Sequence, residues 1–145
     1  MKKFNGITSL LFFAVSMLLG LYILWANNVN LAILYVILLL AAAVLIPYVY
    51  CTKCPCRKTN CAHVFPGLIT RFMPDRDSEN YTVFDWTLVM IFMGLLIVLP
   101  QFWLYENILL FSIFWISSII AGIQILFFIC KTCDNKKCIL CGQRS

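Results

Sequence analysis

Four long stretches of this chain lack any charged residue and any histidine: Ile7–Trp25, Leu31–Tyr50, Trp86–Trp103 and Ile108–Ile129. Proton relays, ion pathways and transporter substrate sites usually need an ionisable group at such positions, so these roles are not expected. With no histidine inside the runs there is also no axial ligand for a haem b. The chain has no phosphate-binding Gly-x-x-x-x-Gly-Lys loop, no Gly-x-Ser-x-Gly elbow and no His-Glu-x-x-His helix signature, which removes the common nucleotide-hydrolysing, acyl-transferring and zinc-protease chemistries. A hydrolytic or transferase enzyme is therefore not expected, while a redox role stays open. Charge of either sign is scarce at 12% of the residues, against about a quarter in a soluble domain.

What replaces charge is apolar surface. The chain has 145 residues, 63% of them hydrophobic, and a mean hydropathy of +0.93. Each apolar run is as long as a bilayer-crossing helix requires, roughly 17–25 residues. Runs rich in Leu, Ile, Phe and Val insert readily, each such residue contributing about 0.3–0.6 kcal/mol. The expected fold is an all-α integral membrane protein in one domain, residues 1–145. Its four transmembrane helices lie at about 7–25, 31–50, 86–103 and 108–129, joined by a loop at 51–85 and followed by a tail at 130–145. The opening Met1-Lys2-Lys3 before an apolar stretch resembles a secretory signal, but the stretch is long and Leu24 and Ala26 make a poor cleavage site, so it reads as the first helix.

Four crossings place both termini and the long loop on one side. All 11 basic residues fall there, from Lys2 and Lys3 through the loop to Arg144. The turns on the other side, near Ala26–Asn30 and Leu104–Asn107, hold none. The positive-inside rule puts the termini and the loop in the cytoplasm. Trp25, Trp86, Trp103 and Tyr105 lie near helix ends, where aromatic belts form. The net charge of +5 is a topology signal and an anionic-lipid contact; it implies no nucleic acid. The sequon Asn80-Tyr81-Thr82 lies in the cytoplasmic loop and reads as chance.

All eight cysteines sit in two short clusters, each at the end of an apolar run. The first is Cys51, Cys54, Cys56 and Cys61, followed by the lone His63; the second is Cys130, Cys133, Cys138 and Cys141. In a reducing compartment structural disulfides are rare, and cysteine pairs more often bind metal or do redox chemistry. A Cys-x-x-Cys grips one metal from a tight turn, and two such pairs complete a tetrahedral site with Zn–S near about 2.3 Å. Cys₄ ligation suits iron–sulfur clusters equally, although neither group has a ferredoxin spacing. The eight cysteines are thus candidate metal ligands, with His63 a fifth donor beside the first cluster. The metal, zinc or iron–sulfur, is left undecided. Cys51 and Cys130, at helix ends, also suit palmitoylation, which does not account for two tight groups.

The halves of the chain look alike. Trp25-Ala-Asn27 aligns with Tyr105-Glu-Asn107, and with one residue deleted Cys51-Thr-Lys-Cys54 falls on Cys130-Lys-Thr-Cys133. Each half reads as a helical hairpin ending in a Cys-x-x-Cys, both hairpins running in the same direction under a cysteine-rich cytosolic cap, unlike the inverted repeats of many transporters. Gly20, Gly94, Ala41–Ala43, Ser117, Ser118, Ala121 and Gly122 are the residues expected to permit close helix contacts. Within the loop, the apolar stretch 63–73, broken by Pro66-Gly67, is expected on the membrane interface, and Asp85 is expected as N-cap of the third helix.

These features favour a membrane protein binding metal through two cytosolic four-cysteine clusters. One alternative is a small electron-transfer subunit with iron–sulfur centres, within a larger membrane complex or docking an acidic soluble partner on Arg57, Lys58, Lys131, Lys136 and Lys137. Another is a thiol–disulfide protein working through Cys54 or Cys133. Vitamin K epoxide reductase-like proteins are similar in combining four helices with a Cys-x-x-Cys, but theirs works at the outer face, and no motif here names a family.

Overall fold

The computed structural model of the chain describes residues 2–54 and 64–130, and all regular structure among them is helical. Four helices are long and apolar enough to cross a membrane: Phe4–Asn27, Val29–Cys51, Val83–Leu104 and Ile108–Ile129. This is a multi-pass membrane protein.

The first helix, α1, spans Lys2–Asn27. After the single residue Asn28 the chain enters α2, Val29–Ile46, whose first turn is capped by the Asn28 side chain accepting from Leu31 N–H at 3.2 Å. Pro47 then falls inside a continuing helix. A proline there lacks an N–H and crowds the carbonyl one turn back, and the helix widens into a π-helical turn over Pro47–Cys51. Its signature is the Thr52 N–H reaching back to Pro47 O at 3.0 Å.

A short helix, α3, covers Val64–Ile69 and tightens into a 3₁₀ turn at Thr70–Phe72. Pro66-Gly67 does not break it, because Pro66 lies in the first turn, where the missing N–H has no intrahelical partner to lose. The third span begins with α4, Val83–Val98, and after Leu99 and Pro100 ends in the one-turn α5, Gln101–Leu104. The fourth is α6, Ile108–Ile123, opened by an Asn107 cap like that of Asn28 and continued as a π-helical turn at Gln124–Ile129.

In lipid the helices gain little by hiding apolar surface from one another, so packing and hydrogen bonds decide the arrangement. The broadest interface joins α1 to α6, with α2 on another side of α1 and α4 against α2. The third span meets α6 mainly through the short α5. In this arrangement α1 packs against both α2 and α6. Small polar residues explain the choice. Ser16 Oγ lies 2.9 Å from Ser117 Oγ and accepts from Ser118 Oγ at 3.0 Å, so α1 and α6 approach closely at a buried serine cluster. Ala42 and Ala121 are buried as expected, but Gly94 and Gly122 meet no neighbour and do not act as contact points.

Pro100 leaves the Leu96 carbonyl without its usual partner four residues on. The fully buried Tyr35 on α2 supplies one: its hydroxyl donates to Leu96 O at 3.0 Å. Gly20 on α1 makes the room, since a Cβ there would stand 2.8 Å from the Tyr35 hydroxyl oxygen and 3.2 Å from Pro100 Cγ. Tyr35, Phe114, Leu24, Leu96 and Leu104 form the fully buried centre. Gln101 behaves as its polarity in a membrane requires: its amide donates to Ile97 O at 2.8 Å and accepts from Trp115 Nε1 at 3.1 Å. Gln124 differs: its Oε1 is buried and has no hydrogen-bond partner among the described residues.

Candidate functional site: the cysteine turn and its polar brace

The first cysteine pair sits where the second span ends. Past the π-helical turn, Cys51-Thr52-Lys53-Cys54 closes on itself, with the Cys54 N–H donating to Cys51 O at 3.1 Å. The Thr52 hydroxyl donates back to Tyr48 O, fixing the exit from the helix. Both cysteines are half-buried and carry thiols. This local turn is what lets two sulfurs of a Cys-x-x-Cys face one ion.

Lys53, inside that turn, is only 3% exposed. Its Nζ lies 2.6 Å from Asp85 Oδ2 and 3.6 Å from Glu79 Oε2, and donates to Asn80 O at 3.4 Å. Burying an ammonium group is strongly unfavourable unless it is paired and hydrogen-bonded, and here one buried carboxylate does most of the pairing. Asp85 has a second duty. Its Oδ2 accepts from Thr82 N–H at 2.8 Å while Thr82 Oγ1 accepts from Asp85 N–H at 3.3 Å, a reciprocal capping box. Thr82 is thus the N-cap and Asp85 the third helical residue, which corrects the expected assignment of Asp85 as the cap and starts the third helix at Val83.

The loop leading to Thr82 is fastened beside the same turn. Arg76 donates twice to Glu79, at 2.8 and 2.6 Å, and lies over the Tyr48 ring at 5.4 Å. The Tyr50 and Tyr81 rings meet with centroids 4.6 Å apart. The Arg76 hydrogen bonds hold the Glu79 carboxyl below its ordinary range, and the same bonds raise the Arg76 guanidinium above its own. Asn80, Tyr81 and Thr82, the residues of the sequon, each make one of these contacts.

Of the candidate ligands, Cys51 and Cys54 are brought together. Cys130 is buried at the end of the fourth span, where its N–H reaches Ile125 O, and it is disulfide-bonded. Cys56, Cys61, His63, Cys133, Cys138 and Cys141 lie outside the described residues, as do Arg57, Lys58, Lys131, Lys136 and Lys137. Among the described residues no three metal-capable side chains converge. Lys53 was legible only as one more basic topology signal, and nothing local marks it as buried. The capping box did leave a trace, since Thr82-Val-Phe-Asp85 before an apolar run is the sequence pattern of that cap. No family model, no curated protein and no solved structure matches this chain.

Proposed function

We propose that this multi-pass membrane protein holds metal, as zinc or an iron–sulfur cluster, through cysteine clusters displayed at its cytosolic surface. The observation that carries the proposal is the Cys51–Cys54 turn. It closes through a backbone hydrogen bond of 3.1 Å, and Lys53 within it pairs with Asp85 at 2.6 Å; a turn so fixed supports presentation of two sulfurs to one ion. Cys56 and Cys61, with His63 beside them, would complete the first ligand set; Cys130, Cys133, Cys138 and Cys141 would form the second once the disulfide at Cys130 is reduced. Sequence symmetry supports treating the clusters as equivalents. The spacing from Cys51 to Cys130 equals that between the capping residues Asn28 and Asn107, and that between the buried pairs Tyr35 and Phe114, Ala42 and Ala121. This register needs no deletion, unlike one aligned on Asn27, and suits two duplicated halves that each deliver a cysteine pair.

A second function, thiol–disulfide exchange, is favoured by one observation: the disulfide at Cys130. Differential alkylation separates the two. The folded protein in detergent is treated with a maleimide, and modified cysteines are located by mass spectrometry with no addition, with a chelator, or with a reductant. Metal binding predicts that Cys51 and Cys54 become modified only after chelation. Thiol exchange predicts that the reductant alone frees Cys130 for modification. Full modification of all eight cysteines with neither addition would overturn both.

A further inference from the structure

Helix α3 and its 3₁₀ turn present an outward apolar face at the level where spans end. Phe65, Leu68 and Phe72, spaced to share one side of a helix, are 46%, 55% and 89% exposed. The opposite side, Gly67 and Thr70, is buried, and the Thr70 hydroxyl is spent on Pro66 O at 2.9 Å and Gly67 O at 3.2 Å. The element packs on the π-helical turn Pro47–Cys51, the last turn of the second span, and on α1. Its apolar face therefore lies beside a span terminus, and α1, which it also touches, exposes Phe4 and Ile7. Arg71 stands exposed between Leu68 and Phe72.

We infer that α3 is an interfacial anchor: Phe65, Leu68 and Phe72 enter the acyl region of the leaflet on the cysteine side, and Arg71 meets anionic headgroups. Lipid is the occupant because the exposed apolar face is packed on the last turn of a membrane-spanning helix, where acyl chain meets headgroup, and a flanking cation is the usual complement of such a face. The inference is independent of what the cysteines hold.

The test places the photoreactive residue p-benzoylphenylalanine at position 68 or 72 of the full chain, reconstituted in vesicles of phosphatidylcholine with or without phosphatidylglycerol. Exposed positions 40, on the second span, and 78, in the polar loop, serve as lipid and water references. Mass spectrometry reads the adducts. The expected result is lipid adduct at 68 and 72 equal to that at 40 and several-fold above that at 78, with phosphatidylglycerol enriched at 72 and the enrichment lost in Arg71→Gln. Adduct at the level of position 78, or crosslinking to a second copy of the chain, would overturn the anchor. Lipid adduct with no phosphatidylglycerol enrichment would overturn the role of Arg71.

Discussion

Lys53 lies between two cysteines with its ammonium group removed from water, and Asp85 is its closest partner. Removing one member of a buried pair leaves the other charge stranded, at a cost of about 3–5 kcal/mol. Lys53→Met is therefore expected to destabilise strongly. Adding Asp85→Asn, which keeps an acceptor for Thr82 N–H, should recover much of the loss. Denaturation of the purified protein in mixed micelles checks this, and an unchanged midpoint in the single variant would refute the brace. The Tyr35 hydroxyl is a smaller term: Tyr35→Phe removes the donor to Leu96 O, worth about 1–2 kcal/mol between membrane helices. Gly20→Ala should cost as much or more, about 1–3 kcal/mol for overpacking, because the new methyl meets the fully buried Tyr35. In the double variant Tyr35→Phe/Gly20→Ala the two losses should not add, since removing the hydroxyl also relieves the clash.

Among the elements, the spans were the most legible. The fourth, Ile108–Ile129, begins and ends as its composition implies, because an asparagine cap opens it and a cysteine closes it. The third starts at Val83, three residues before the uncharged run, since Asp85 is neutralised by Lys53 from a segment 32 residues away. No local pattern reveals that partner. The Cys51–Cys54 turn was legible for the opposite reason: its closing bond is local. The loop brace yields a pH prediction. The Glu79 carboxyl is held low mainly by the Arg76 hydrogen bonds, so the unfolded chain binds the proton more tightly than the folded one. The contribution is fully present above the ordinary carboxyl value of about 4.5 and is lost as pH falls through the lower folded value. Arg76→Gln should flatten that part of the stability profile below about pH 4.5 and leave neutral stability little changed, because the pair is exposed and screened.

For the whole molecule, the proposal joins sidedness to chemistry. The basic residues cluster with the cysteines, so a reporter fused after Ser145 should be active only when it functions in the cytoplasm. A reporter active only outside would place the thiols in an oxidising compartment and favour disulfides over metal. Ser117 and Ser118 were legible as contact residues, but the packing of α1 between α2 and α6 was not, because nothing local marks Ser16 as the partner of both. The central claim is that the cysteine clusters hold metal. Elemental analysis with an ultraviolet–visible spectrum, on protein purified anaerobically in detergent, tests it most directly. The account predicts zinc without colour, or iron with acid-labile sulfide and a brown absorbance, at one site per chain while the Cys130 disulfide stands and at most two once it is reduced, since eight cysteines supply two four-thiolate sets only when all are thiols. Protein that is folded and carries neither metal would contradict it.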